Sequence, residues 1–435
     1  MPSDLAQHIQ QLKVMDTHEH MGKEPDWIGD TYQQDVLTLL FGNYCSADLV
    51  SAGASHEAVQ RAMDASNPDV EGRWSGIEKA WSNTRFTGYG EAVRLIAKNI
   101  FDMDEITSDA LRTAEAKVKA LRQPGQRLHI LRELAGLDHI QTDDFCWPCV
   151  PDKSGPDFFL YDITWCGFCC GKVQVEPLAK ETGVTVHDLA SLRQAMAGIF
   201  DKYGSCAIAV KSQHAYSRTL RWVERSDDDA QRALDVVLGE KDADEQAQLC
   251  LGDWAMARGV ELAGEHHLPF KIHTGYYASN NHMVTDRIHP GHLCPLLIRY
   301  TDTRFVLMHI AYPYDQELIA MAKHFPHVWA DLCWAWSINP LASAQFVRNF
   351  IHGAPINKLF AFGGDTQTPT SSYAYAIQMR RYLTDALQGE VEDGYLCEAE
   401  AIEIATRLAR DNQIACFDLN GTRAAIHEAT KTVCA

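Results

Sequence analysis

No apolar run in this 435-residue chain reaches the ~18 residues that a membrane-spanning helix needs. The opening Met1-Pro2-Ser3-Asp4-Leu5-Ala6-Gln7 lacks the charged and apolar regions of a signal peptide. Basic residues are scarce: 39 Lys and Arg stand against 58 Asp and Glu, a net charge of −19 with His neutral. Long-range attraction to a nucleic-acid backbone or to anionic lipid is therefore not expected. No G-x-G-x-x-G follows any apolar run, which argues against an open doubly wound sheet. Internal repeats and low-complexity linkers are missing as well. The 13 cysteines are odd in number, and Cys146-x-x-Cys149 has no second pair to complete a zinc site. With Cys169-Cys170 they read as buried or incidental thiols, as expected of a reducing, cytoplasmic setting.

What is present is apolar content, 46% of residues, enough for a large core. Ser3 to Leu12 reads as a short capped helix. Lys13-Val14-Met15-Asp16-Thr17-His18-Glu19-His20 then begins apolar and ends polar, as a strand running into a site would. Residues 25–135 carry little strand signal and much helical periodicity, as in Glu91 to Lys98 and Thr107 to Leu121, and read as a helical insertion. From residue 137 onward short apolar runs alternate with helical stretches. The runs are Asp138–Asp143, Phe158–Tyr161, Cys206–Lys211, Phe270–His273, Arg304–His309, Val328–Leu332 and Leu359–Gly363. Helices fit between several of them, as in Asp244–His267, Gln316–His324 and Ala342–Ile351. Counted with the first strand, the alternation predicts a single α/β chain, a (β/α)₈ TIM barrel with a helical insertion after strand 1.

Metal-ligand residue types recur where these strands end: His18-Glu19-His20, Lys211, His273, His309 and Asp365. In a barrel those ends meet on one face, where active sites are built. With 19 His in the chain, chance alone gives about 0.8 His-x-His pairs, so the pair means little in isolation. Its geometry adds weight, because residues i and i+2 of a strand point the same way and two imidazoles can reach one cation. Imidazole and carboxylate suit a divalent metal, Zn²⁺ first, with Mn²⁺, Fe²⁺ or Ni²⁺ as alternatives. Asp365 is the candidate proton carrier for water activated by that metal. His214 and Arg218, after strand 4, are candidate substrate-binding residues, as is Arg85 of the insertion, where Trp81, Arg85 and Tyr89 could form a lid. Asp143, Asp144, Trp165, Trp334 and Trp336 also close strand regions. His282, His289 and His292 form a histidine-rich tract after strand 5, read as solvated.

Asp16-Thr17-His18-Glu19-His20 resembles the opening metal motif of the amidohydrolase superfamily. The segments Lys211-Ser212-Gln213-His214-Ala215-Tyr216, Ile272-His273-Thr274-Gly275-Tyr276, Leu307 to Tyr314 and Gly363-Gly364-Asp365 are similar to one branch of it. That branch is the amidohydrolase-related (type 2) proteins like the domain fused to glutamine synthetase, with uronate isomerase a more distant relative. The likeness runs in order through most of residues 13–385. It implies that His18, His20 and His273 are metal ligands and that Asp365 is both ligand and proton-handling group. It implies that His309 binds a second metal in binuclear members and faces substrate or metal-bound water in mononuclear ones. Lys211 matches a lysine that is carboxylated and bridges two metals in binuclear members. One metal is favoured here over two. Asp365-Thr366-Gln367-Thr368-Pro369 lacks the substrate-binding arginine expected of uronate isomerase.

The expectation is thus a metal-dependent hydrolase that cleaves an amide-like C–N bond in a small molecule, with His309 orienting the electrophile or stabilising negative charge. Sugar-acid isomerisation or non-oxidative decarboxylation on the same site is the alternative, and a catalytically silent ligand-binding barrel is the alternative of another class. A homo-oligomer is a fair prior for such barrels.

Overall fold

The computed structural model describes residues 3–29, 34–239, 244–278 and 283–434. Eight strands form one parallel sheet in chain order. They are β1 (Val14–Glu19), β2 (Leu137–Thr142), β3 (Phe159–Thr164), β4 (Ala207–Ser212), β5 (Phe270–His273), β6 (Phe305–Met308), β7 (Val328–Asp331) and β8 (Leu359–Phe360). Nearly every strand residue is buried, because helices cover the outside while side chains fill the inside.

β8 is only two residues long, so the barrel closes through the segment that follows it. Thr17 N–H donates to the Phe362 carbonyl (3.0 Å), Asp365 N–H to the His18 carbonyl (2.8 Å) and His20 N–H to the Thr366 carbonyl (3.0 Å). Glycines permit this approach. A Cβ on Gly364 would lie 2.1 Å from Glu19 Oε1, and one on Gly363 would lie 2.7 Å from Cys333 Sγ.

Helices expected from periodicity appear as Glu245–Glu265, Asp315–His324 and Pro340–Gly353. Asp244 and Asn339 cap two of them by accepting from the backbone N–H groups of Ala247 and Ala342. Ser3 caps the first helix, Asp4–Gln11, in the same manner. Between β1 and β2 the described chain is helical, from Glu24–Ile28 to Gln126–His129. The helix Gly88–Asn99 packs there on the long helix Pro369–Glu392, which fixes the insertion over the C-terminal mouth of the barrel. Among the described residues no helix is long and apolar enough to cross a membrane. Twelve of the 13 cysteines, from Cys45 to Cys416, are free thiols.

Candidate metal centre

β1 delivers His18 and His20 to the barrel mouth on one face, and the turn after β8 delivers Asp365. His18 Nε2 and His20 Nε2 lie 3.2 Å apart, and each lies 3.3 Å from Asp365 Oδ1. A tetrahedral centre with metal–ligand bonds of about 2.0–2.1 Å spaces its ligand atoms at about 3.3–3.4 Å. The three donor atoms that the fold brings together thus have the spacing that a divalent cation requires.

The histidine tautomers agree. His20 Nδ1–H donates to the Asp143 carbonyl (2.7 Å), His309 Nδ1–H to the Cys333 carbonyl (2.9 Å) and His273 Nε2–H to the Tyr276 carbonyl (2.9 Å). Each ring thereby keeps its other nitrogen as a lone pair. His18 Nδ1 faces Asp162, 3.6 Å away. Lys271 holds that carboxylate in turn through contacts of 2.9 Å to both oxygens, and donates to the Thr17 carbonyl (2.7 Å).

Electrostatics keep the imidazoles neutral. Burial, reinforced by Lys211 and His20, pushes His18 down to about 3. Burial likewise takes His309 to about 4 and His273 well below its ordinary value, the latter with help from His309 and Lys211. Burial acts to raise Asp365, but His18, His20 and His309 outweigh it and hold the carboxyl well below the usual range. Buried lone pairs beside a carboxylate are what a cation needs. His309 Nε2 and Asp365 Oδ1 have no hydrogen-bond partner in the protein.

Several expected residues fall elsewhere. His273 is not part of the triangle; its ring centroid lies 4.3 Å from that of His309. Lys211 does reach it, with Nζ 2.9 Å from His18 Nε2. Arg218 is buried and engaged with Asp253 Oδ1 (2.5 Å) and the carbonyls of Cys169, Thr219 and Arg221, so it ties the rim together and offers substrate nothing. Arg85 is exposed on the insertion, stacked on Phe86, and borders a separate cavity with Trp81 and Arg94. Trp81 itself packs on Phe41.

His214 is buried beside the rim with Nδ1 at 2.9 Å from Ser212 Oγ, and its Nε2 has no partner. Asp143, pushed up to about 6 by burial, sits behind His20. Trp165 and Trp336 are packing residues whose indole N–H groups are satisfied by the Ala255 and Ala361 carbonyls. His289 pairs with Glu317 and stacks on Tyr314, and His292 bonds the Asp286 carbonyl. His282 lies outside the described residues.

Other residues at the site escaped the sequence reading. Tyr44, from the insertion, donates to the Asp365 carbonyl (2.5 Å) and packs on Trp334. Phe145 stacks face to face on His20, 4.4 Å between centroids. Cys333, two residues beyond β7, has its donor atom within 4.8 Å of those of His309 and Asp365. Asp162 and Lys271 did carry a signal, because each alternates into the barrel interior, Lys271 two residues before His273.

Residues 190–394, which carry five of the eight strand ends, match the amidohydrolase family model. That match covers just under half of the chain. The chain is also 24% identical over 176 residues, 39% of its length, to Protein fluG of Emericella nidulans, and that match covers about a fifth (20%) of the relative. In fold, it superposes on a glucuronate isomerase from Caulobacter crescentus with a TM-score of 0.75, at 16% identity over 96% of this chain and 95% of the other. A uronate isomerase from Thermotoga maritima gives 0.74 at 13% identity, over 95% and 96% of the two chains. At these identities the two structures speak for the barrel and its insertion alone.

Proposed function

We propose that this chain is a metal-dependent hydrolase that cleaves the C–N bond of an amide-like small molecule. The observation that carries the reading is the triangle of His18, His20 and Asp365 donor atoms at 3.2–3.3 Å. His18, His20 and Asp365 would hold a divalent cation, which when bound would supply a Lewis acid for a carbonyl and lower the pKa of water to about 7. Asp365, one of the three residues that would hold the cation, would accept the proton of the attacking water and give it to the departing nitrogen. His309 is neutral, with Nδ1–H fixed on the Cys333 carbonyl, so its Nε2 presents a lone pair. It can accept a hydrogen bond or bind a cation. It does not donate to developing negative charge, which replaces the role expected of it from the sequence.

Sugar-acid isomerisation has the structural likeness on its side, but a sugar acid needs a cationic clamp for its carboxylate. Arg218 and Arg85 are engaged away from the centre, and Arg127, beside His20, is bound to Asp152, Ser154 and the Gly22 carbonyl. Hydrolysis is therefore preferred. The test is a mass balance on metal-loaded protein incubated with a panel of N-acyl and amidine compounds and with uronates. Products that together gain one water support the proposal. Turnover of a uronate at unchanged mass, or release of CO₂, overturns it.

A further inference from the structure

Asp365 turns its two carboxylate oxygens to different partners. Oδ1 lies 3.3 Å from Nε2 of both His18 and His20, whereas Oδ2 lies 3.7 Å from His309 Nε2. Behind this second oxygen is a second group of donors. The ligand atoms of His309, Cys333 and Asp365 lie within 4.8 Å of one another, and all three residues are buried. His309 is fully buried, and its Nε2 meets no protein partner. The chain is bent to make this arrangement. Trp334, next to Cys333, has φ 62°, and Cys333 N–H is fixed on Asp331 Oδ1 (2.9 Å). Gly363 leaves room for the sulfur, since a Cβ there would come within 2.7 Å of Sγ. A thiol, an imidazole lone pair and a carboxylate oxygen are a soft and borderline donor set, suited to Zn²⁺, Cd²⁺ or Co²⁺ and not to Mg²⁺ or Ca²⁺.

We propose that Cys333 is the thiolate ligand of a second divalent cation, held with His309 and sharing Asp365 with the cation at His18 and His20. The thiol releases its proton to solvent as the metal–sulfur bond forms. The proposal rests on the reading of the first triangle as a metal site, and the test separates the two.

Metal-free protein and its Cys333→Ser variant are titrated with Co²⁺ under anaerobic conditions and followed by absorption. The wild type is expected to take two equivalents, the second bringing a near-ultraviolet thiolate-to-cobalt charge-transfer band. Cys333→Ser is expected to keep the first equivalent and lose the band. Saturation at one equivalent, two equivalents without the band, or a band that persists in Cys333→Ser each overturns the thiolate proposal and leaves the first site standing. Failure of the wild type to bind any Co²⁺ overturns both readings. Should Cys333→Ser not fold, X-ray absorption on the zinc-loaded wild type decides. One sulfur at about 2.3 Å supports the ligand, and a shell of nitrogen and oxygen alone overturns it.

Discussion

Lys271→Met removes the cation beneath the metal centre. Both Lys271 and Asp162 are fully buried, and Nζ lies 2.9 Å from each carboxylate oxygen. Leaving one partner of a buried pair uncompensated costs about 3–5 kcal/mol. The entropy of unfolding is about 2.1 cal/mol/K per residue, or about 0.9 kcal/mol/K for a chain of this length, so the melting temperature should fall by ~3–6 °C. Asp162 faces His18 Nδ1, so loss of its anchor should also weaken metal binding by about 10–100-fold. The pH dependence has a definite sign. Burial acts to raise Asp162, but Lys271, together with His18, outweighs it and holds the carboxyl below its ordinary value. In the wild type this stabilisation is present above the unfolded-state value near ~3.9 and is lost as pH falls through the lower folded-state value. Without Lys271, burial raises the carboxyl instead, so the deficit should be larger at high pH than near pH ~5, where protonation relieves it. Thermal melts across pH and calorimetric metal titration read all of this. Adding Asp162→Leu to the variant should recover much of the stability. A single variant that melts within about 1 °C of the parent, or a double variant that is worse than the single one, refutes the reasoning.

Asp365→Asn keeps the shape of the turn after β8 but removes the charge and the proton acceptor; turnover should be abolished with the fold retained, as near-ultraviolet circular dichroism and a substrate assay would show. His18→Ala removes one corner of the triangle and should lower the metal content of purified protein, so unchanged stoichiometry in elemental analysis would take it out of the ligand set. Dialysis against a chelator should lower the melting temperature by ~3 °C where metal had been present at about 100 times its dissociation constant, a linkage of ~2.7 kcal/mol; equal melting of metal-free and loaded protein would count against a folded-state site.

The barrel was legible because each of its strands is a buried apolar run closed by a polar residue. β5 ends at His273 and β4 reaches Lys211 within its run as read from the chain. β8 was read as Leu359–Gly363 but has ladder geometry only over Leu359–Phe360, since Ala361 N–H donates to the Leu408 carbonyl while the Phe362 and Gly363 carbonyls accept from Thr17 and Trp334. Asp365 and the His18-Glu19-His20 element were visible as ligand types at strand ends. The grouping was not. Sequence order cannot say that the His273 ring turns to His309 while its Nε2 is taken by the Tyr276 carbonyl. Arg218 carried a substrate-like signal because a cation in a rim loop looks the same whether it faces the pocket or Asp253. Tyr44 carried no signal, because a tyrosine in a helical insertion reads as packing until the insertion is placed over the barrel.

Strain shows why that tyrosine matters. His309, Ile310, Ala311, Trp334 and Asp365 all have φ between 45° and 62°, and all stand at the C-terminal rim beside the centre. Such conformations cost about 1–3 kcal/mol each and persist only where neighbouring contacts over-determine them. At Asp365 those contacts are its N–H on the His18 carbonyl and the Tyr44 hydroxyl on its own carbonyl. Tyr44→Phe removes one of the two and little else, since the ring still packs on Trp334 and Tyr89. The stability lost should be that of one hydrogen bond, about 0.5–1.5 kcal/mol. The peptide that aims the carboxylate would be freer to rotate, and a displacement of about 1 Å at a reacting group can cost on the order of 100-fold in rate. A small drop in melting temperature with a large drop in kcat is therefore expected, with metal content kept by His18 and His20. If kcat falls only in proportion to stability, Tyr44 is wall packing and the turn after β8 holds Asp365 unaided.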